Sequence, residues 1–174
     1  MTLNSNLERF GFLAISEKEN LGFCGGLLIV NSSGRPLEFH STAPVIPNDA
    51  QRILYGATLN EFITCDQIGV SLLAKCKARP GILLVDHHSL SNMRLVADSS
   101  VLLLSSHDES ESADAVGAQP DHGWLNVNDE KVLILKGEPN SISELVQGFT
   151  ETLPLAEPFS RIYQAINAAH SDAA

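Results

Sequence analysis

The residues with the sharpest chemical pattern are Asp86, His87 and His88, which directly follow the apolar run Ile82 to Val85. That run predicts a short strand buried on both faces, because it offers no polar position to either side. Carboxylate and imidazole groups just past a strand end are typical ligands of transition metals. The three residues are therefore candidate metal ligands. The structural alternative is a polar turn in which Asp86 caps the segment at Ser89.

The stretch from Leu83 to His88, LLVDHH, resembles the signature of the Asp-His-His phosphoesterase family. This resemblance implies a two-metal site that hydrolyses phosphoesters. The chain departs from the pattern of that family, because no Asp-x-Asp motif precedes Asp86. One functional hypothesis is thus a small metal-dependent, phosphoesterase-like hydrolase that uses Asp86, His87 and His88. A divalent transition metal is expected only under this hypothesis.

Glu38 and His40 form a second candidate pair, because residues two apart on a strand share one face. A carboxylate beside an imidazole raises the pKa of that imidazole and makes a competent acid–base pair. Asp66 is a third candidate, since at about 100° per residue it falls inside the apolar arc of a long helix. A buried carboxylate there would need a hydrogen-bond partner or a cation. We take Glu38, His40 and Asp66 as candidate catalytic residues, against the alternative of a solvated strand face for the first two.

Gly25 and Gly26 are candidate ligand-binding residues, since two glycines leave open space over one end of a hairpin. If the hairpin turn falls at residues 31–34, strand pairing places Gly25 opposite His40. Cys24 would then lie near an imidazole that can activate its thiol as a nucleophile. The structural alternative for Cys24 is an inert cysteine in the core.

Two capping patterns predict the first helices. Asn48 followed three residues later by Gln51 is a capping box, and Gly56 suits the end of that short helix. A second capping box opens the longest helix, over about residues 58–77. Apart from a narrow polar stripe from Asn60 to Lys75, its circumference is apolar. We therefore expect it to be covered on more than one side, by the sheet and by another helix or a second subunit.

The remaining patterns complete an α+β fold over a single domain, residues 1–174. The expected architecture is a mixed, mostly antiparallel sheet of five or six strands, opened by a β-hairpin. A long central helix and C-terminal helices are expected to pack mainly on one face of it. Strands are predicted at 10–16, 27–30, 37–42, 82–85, 101–104 and 131–136, with a further candidate at 124–127.

Composition restricts the class of protein. The 174-residue chain carries a net charge of −10 and has a sequence pI of about 4.9, which disfavours binding to nucleic acid or to an anionic membrane. No apolar run reaches the roughly 20 residues of a membrane span, and the N-terminus lacks a signal-peptide pattern. Three cysteines without a CxxC spacing predict a reducing, cytoplasmic compartment. An acid-rich stretch at about 105–123 is expected to form a flexible loop.

No complete catalytic set is visible, which favours a non-catalytic interaction or scaffold domain over an enzyme. The extra apolar surface of the long helix favours self-association as a homodimer or other homo-oligomer, with room for a protein partner. The hairpin followed by a long helix is loosely similar to profilin-like, roadblock and longin platforms. Nucleic acid and membrane are not expected as partners, and no cofactor is expected. The alternatives are the metal-dependent hydrolase and a small-ligand-binding domain near Gly25 and Gly26.

Overall fold

The computed structural model describes residues 8–105 and 123–171. Within these ranges the chain forms one seven-stranded sheet with helices on both of its faces. The strands are β1 (Arg9–Lys18), β2 (Gly22–Asn31), β3 (Pro36–Ser41), β4 (Ile82–Val85), β5 (Ser100–Ser105), β6 (Trp124–Val127) and β7 (Glu130–Lys136).

The helices fall into three groups along the chain. A central helix is built from three consecutive segments and is flanked by short helices. Two longer helices close the described chain. In order they are α1 (Asp49–Tyr55), a 3-10 turn (Gly56–Thr58), α2 (Leu59–Glu61), a π-helix (Phe62–Gly69), α3 (Val70–Lys75), a 3-10 turn (His88–Leu90), α4 (Met93–Val96), α5 (Pro139–Thr150) and α6 (Ala156–Ser171). The central helix is α2, the π-helix and α3 together.

The strand order in the sheet is β3-β2-β1-β4-β5-β7-β6. Strand β4 runs parallel to both β1 and β5, and the other neighbours pair antiparallel. The predicted α+β class with a mixed, mostly antiparallel sheet is confirmed. The sheet has seven strands rather than five or six, because the candidate strand at 124–127 pairs with β7 and forms one edge.

The core has two layers, one on each face of the sheet. Alternate residues of β1 serve both: Phe12 packs with α5 and α6, whereas Leu13 packs with the central helix. The helices are therefore divided between the faces, contrary to our expectation of helices mainly on one face. Strands β1, β2 and β4 are apolar at successive positions because both of their faces are covered.

The central helix is continuous but its turns are not uniform. The π-helix has more residues per turn than an α-helix, so side chains after Glu61 are rotated away from the faces that a 3.6-residue period assigns. Thr64, expected in the wet stripe, is 2% exposed, whereas Asp66, expected in the apolar arc, is exposed. Val70 is 38% exposed as well. The expectation of an apolar circumference covered nearly all round is therefore wrong.

The hairpin turn is longer than the sequence pattern suggested. The amide of Asn31 donates to the Arg35 carbonyl at 3.0 Å, and a bulge follows between Ile29 and Val30. The pairing therefore places Leu27, not Gly25, opposite His40.

The first of the two predicted capping boxes is confirmed. The side chain of Asn48 accepts from the Gln51 amide, the Gln51 side chain accepts from the Asn48 amide, and Gly56 ends α1. The second is wrong, because the Thr58 side chain makes no cap hydrogen bond and its hydroxyl donates to the Tyr55 carbonyl at 2.7 Å. Among the helices described, none combines the length and apolarity that a bilayer crossing requires. The loop expected at about 105–123 falls mainly on residues 106–122, which lie outside the described ranges.

Candidate functional site

The carboxyl ends of the adjacent strands β1 and β4 are where this topology places a site. Strand β1 pairs with β2 on one side and with β4 on the other, so the chain leaves β1 and β4 in opposite directions across the sheet. In open sheets with parallel strands, ligands bind outside the carboxyl ends of the strands at such a switch point. The carboxyl ends of β1, β4 and β5 lie at the same edge, because these three strands run parallel.

Asp86 is the first residue after β4 and lies at this edge. It shares a strand face with Leu84, which packs against α5 and α6, so its side chain points towards α6. Its Oδ2 accepts a hydrogen bond from the hydroxyl of Tyr163 on α6 at 2.6 Å. Its Oδ1 is buried and has no hydrogen-bond partner among the residues that the structure describes. Asp86 is thus held by Oδ2, and its Oδ1 is buried without a hydrogen-bond partner in the described structure.

The surroundings of Asp86 change its acidity. Burial raises the pKa of Asp86 from its ordinary 3.8 to about 6, and the Tyr163 hydrogen bond opposes part of that rise. Burial, together with the charge of Asp86, raises the pKa of the Tyr163 hydroxyl well above its usual range. Tyr163 is therefore a permanent hydrogen-bond donor, and Asp86 exchanges its proton near neutral pH.

The two histidines after Asp86 belong to a surface turn. His87 and His88 are exposed, with ring centroids 4.2 Å apart. The Nδ1 of His87 lies 2.8 Å from the Ser89 hydroxyl and accepts from the Ser89 amide at 3.2 Å. The turn is fastened to the π-helix, since the carbonyl of Ser89 lies 3.1 Å from the Thr64 hydroxyl and accepts from the Cys65 thiol at the same distance.

These contacts do not gather Asp86, His87 and His88 around one point. Within residues 8–105 and 123–171, no three or more His, Cys, Asp or Glu side chains lie together as a metal site. Asp86 turns towards α6, while the imidazoles stay at the surface with Ser89. The candidate metal ligands therefore do not form a metal site within the described chain.

The neighbouring strand supplies no second carboxylate beside Asp86. In the parallel register Leu13 pairs with Val85, so the next residue of β1, the buried Ala14, adjoins Asp86. Nucleases that work through two divalent cations need oxygen ligands from several groups. The described residues at this edge do not fit such a site, and we derive no chemical step through a metal.

Glu38 and His40 do meet, but they are remote from Asp86 on strand β3. The Glu38 carboxylate lies 2.5 Å from Nε2 of His40 and also accepts from the amides of Ala78 at 2.7 Å and Lys77 at 3.0 Å. The hydrogen bond from Ala78, with those from His40 and Lys77, lowers the pKa of Glu38 to about 2. This carboxylate ties β3 to the chain just after α3, and its lone pairs are already engaged there.

The space over Gly25 and Gly26 is filled from both sides. A Cβ atom on Gly25 would lie 2.1 Å from Ile68 of the π-helix, and one on Gly26 would lie 2.4 Å from Ile162 of α6. No room for a ligand is left at either glycine. On the β3 side His40 pairs with Leu27, three residues from Cys24, and burial raises the pKa of the Cys24 thiol, which disfavours a nucleophile.

Asp66, the remaining candidate, is exposed on the π-helix and makes no described contact with Asp86. The residue that sequence reasoning missed is Tyr163. A signal was present: Tyr163 lies four residues after Phe159 and three before Ile166 on the buried side of α6. A tyrosine in that position usually needs a hydrogen-bond partner for its hydroxyl.

Comparison with known proteins finds likeness in structure alone. The sequence matches no protein-family model, and no curated protein matches it significantly. The catalytic domain of human Endonuclease V superposes with a TM-score of 0.59 at 12% identity, over 96% of this chain and 85% of that chain. Endonuclease V of Ciona intestinalis, in complex with a 23mer DNA containing an inosine followed by a ribo-adenosine, gives a TM-score of 0.48 at 10% identity, over 83% of this chain and 78% of that one.

The human domain corrects two predictions. The expectation of a non-catalytic scaffold that self-associates as a homodimer is wrong, because this chain has the fold of a nuclease catalytic domain. The exclusion of nucleic acid as a partner is contradicted by the same finding. That exclusion rested on the net charge of −10, and a charge summed over the whole chain does not describe one edge of the sheet.

Proposed function

We propose that this chain is a nucleic-acid-processing hydrolase whose substrate strand lies across the carboxyl edge of β1 and β4, with Asp86 as its proton-exchanging group. The fold likeness to a nuclease catalytic domain supports the class of activity. The observation that carries the proposal is Asp86 itself, a partly buried carboxyl at the switch point with one oxygen held by Tyr163 and the other unpartnered.

The acidity of Asp86 suits phosphodiester hydrolysis. Cleavage needs a proton removed from the attacking oxygen and a proton delivered to the leaving oxygen. A carboxyl with a pKa of about 6 is largely ionised at neutral pH and is a stronger base than an ordinary aspartate, so it suits removal of the proton from the attacking oxygen. In the proposed reaction the Asp86 carboxylate takes the proton of the attacking water as the new P–O bond forms and the P–O bond to the leaving oxygen breaks. The leaving oxygen takes its proton from solvent water, and Tyr163 keeps the carboxyl oriented throughout.

The same edge offers donors for phosphate oxygens. The exposed imidazoles of His87 and His88 follow Asp86 directly, and Lys18 ends β1. Imidazole N–H groups and an ammonium bind phosphate by hydrogen bonds and charge, so a strand can be held here although the chain as a whole is acidic.

A cleavage assay tests the proposal. End-labelled single-stranded RNA and DNA, with and without an inosine, are incubated with the wild-type chain and with Asp86→Asn, in Mg²⁺ and separately in EDTA. We expect cleavage by wild type and a fall of about 10²-fold or more in Asp86→Asn, the range measured for loss of a general acid–base group. Asp98→Asn is the matched control, because Asp98 is an exposed aspartate just before β5, at the opposite, amino edge of the sheet. Equal rates in wild type and Asp86→Asn would refute the role of Asp86.

A second candidate function is nucleic-acid binding without cleavage, and Ala14 favours it. With alanine beside Asp86, the described edge holds one carboxylate where cation-assisted nucleases need several ligands. Fluorescence anisotropy with the same strands separates the two functions. Binding that weakens with added salt, together with uncut strands, identifies the binding protein.

We propose the cytoplasm as the compartment, because all three cysteines are buried and free. Buried thiols persist unpaired where the surroundings are reducing. Thiol labelling after rapid acid quenching and denaturation checks this: three reactive thiols per chain are expected, and a disulfide-linked form would contradict it.

A further inference from the structure

We propose that Tyr163 is the positioning residue of this site, whose hydroxyl holds the Asp86 carboxyl in place in both of its protonation states. This inference rests on the function proposed above, since it concerns how the proton-exchanging group is held. It assigns a role to a side chain 77 positions away in sequence, on a different element.

The first support is the position of the hydroxyl between three elements. Tyr163 projects from α6, lies 2.6 Å from Oδ2 of Asp86 after β4, and lies 3.4 Å from the carbonyl oxygen of Ile15 in β1. The Tyr163 hydroxyl therefore joins α6 to the carboxyl ends of β1 and β4, where the site lies.

The second support is the number of donors and acceptors. A phenol has one proton to donate and lone pairs to accept with. When Asp86 is ionised, Tyr163 donates to Oδ2. When Oδ2 carries the proton, it donates to the Tyr163 oxygen, and the Tyr163 proton turns to the Ile15 carbonyl. The same three groups thus satisfy both states, and the carboxyl stays in place as it gains and loses its proton.

The third support is that few other groups act on Asp86. Burial, the Tyr163 hydroxyl and the amide of Asp86 itself account for its acidity. No charged side chain is among the causes that shift the pKa of Asp86. Removing the hydroxyl of Tyr163 therefore removes the only side-chain donor to Asp86 that the described structure shows.

The test measures the pKa of Asp86 by carbon-13 NMR of side-chain carboxyl groups, with the Asp86 signal identified by its loss in Asp86→Asn. In Tyr163→Phe we expect this pKa to rise by about one unit, because the ionised form loses a charge-assisted hydrogen bond. Tyr55→Phe is the matched control. Tyr55 is the only other tyrosine in the sequence, and its ring stacks on Phe62 with centroids 4.0 Å apart. Its loss of a hydroxyl should leave the pKa of Asp86 unchanged.

A second measurement needs no tyrosine variant and covers the case in which Tyr163→Phe does not fold. In the wild-type chain the ring Cζ signal of Tyr163 should shift with an inflection near the pKa of Asp86, and Asp86→Asn should remove that inflection. A flat Tyr163 signal, or an unchanged Asp86 pKa in folded Tyr163→Phe, would overturn the positioning role. If the wild-type chain cleaves none of the strands while these NMR shifts are present, the proposed function is overturned and the role of Tyr163 stands.

Discussion

Asp86 lowers the stability of the folded chain at neutral pH, because its ionised carboxylate is partly buried. Its pKa rises from 3.8 to about 6 on folding, so the folded chain binds a proton more tightly than the unfolded chain does. Stability contributed by this group is then greatest below about pH 4 and falls as the pH rises towards 6. A shift of about two units corresponds to roughly 3 kcal/mol of lost stability at neutral pH. Carboxyls kept in such surroundings are commonly functional.

The first prediction follows from the fall in stability that Asp86 causes as the pH rises. Asp86→Asn should raise the free energy of unfolding by on the order of 1–3 kcal/mol at about pH 7.5, because the asparagine keeps the Tyr163 hydrogen bond and carries no charge. The gain should shrink to near zero at about pH 4, where wild-type Asp86 is protonated. Urea unfolding at both pH values measures it. Asp66→Asn is the control and should show no such pH-dependent gain; a destabilised Asp86→Asn at about pH 7.5 would contradict the account.

Of the pair Asp86 and Tyr163, the sequence identified only Asp86. Asp86 was a candidate because it follows a buried strand, a local pattern. Tyr163 was missed because its contact joins residues 77 positions apart. The spacing of apolar residues in a helix or strand does not predict contacts between distant elements. The metal role of Asp86, His87 and His88 stays a prediction, and these three side chains do not converge on one point in the described structure because neighbours in sequence after a strand point in different directions.

Among the elements, β3 is joined to the end of α3 through one carboxylate. Glu38 accepts from the amides of Lys77 and Ala78, which follow the helix and have no helical partner of their own. Because folding lowers the pKa of Glu38 to about 2, its contribution is present above about pH 4.5 and is lost as the pH falls towards 2.

Glu38→Gln should therefore lower the free energy of unfolding by on the order of 1.5–3 kcal/mol at neutral pH, the range for hydrogen bonds to a charged group. The difference from wild type should close as the pH falls below about 4.5. Glu144→Gln, on the exposed side of α5, is the control and should change stability little. If Glu38→Gln matched wild type at neutral pH, the carboxylate would not be the tie between these elements.

Strand β2 fixes how closely the helices approach the sheet. A Cβ on Gly26 would lie 2.4 Å from Ile162 and 3.3 Å from Ile166, so α6 would have to move outwards. Gly26→Ala should cost about 1–3 kcal/mol by overpacking, measured by urea unfolding. Gly148→Ala is the matched control: nothing lies within 4 Å of its Cβ position inside α5, and it should stabilise by about 0.5–1 kcal/mol. An unchanged stability in Gly26→Ala would show that the close approach is not required.

Elements were predictable where their signals are local. The capping box of Asn48 and Gln51 and the buried strand β4 were both read from adjacent residues. The faces of the central helix were not predictable, because a π-helix changes the number of residues per turn and no residue type is typical of it. Thr64 shows the consequence: its hydroxyl donates to the Asn60 carbonyl at 2.8 Å and lies near the Ser89 carbonyl, so a polar residue is buried where a wet stripe was expected.

For the whole molecule, the sheet separates two cores yet joins them through shared strands. Phe12 contacts the rings of Phe149 and Phe159 at centroid distances of 5.7 and 5.2 Å on one face, and its neighbour Leu13 is buried on the other. A helix layer cannot leave either face without exposing residues of β1. The two cores should therefore unfold together, in a single transition.

Phe12→Ala and Leu13→Ala test this coupling from adjacent positions. Each should lower the midpoint of the same cooperative urea transition, by about 3–5 kcal/mol for the phenylalanine and 2–5 kcal/mol for the leucine, because each leaves a cavity in a buried layer. Far-ultraviolet circular dichroism follows both helix layers, and the fluorescence of Trp124, the single tryptophan, follows the edge of the sheet. Leu54→Ala is the control, since Leu54 is 83% exposed and its loss should change stability by no more than about 0.5 kcal/mol. Coincident transitions by both probes in both variants would establish one cooperative unit. A variant that loses one helix layer while the fluorescence stays native would show that the two faces fold independently. The carboxyl ends of β1 and β4 would then be supported by one helix layer alone.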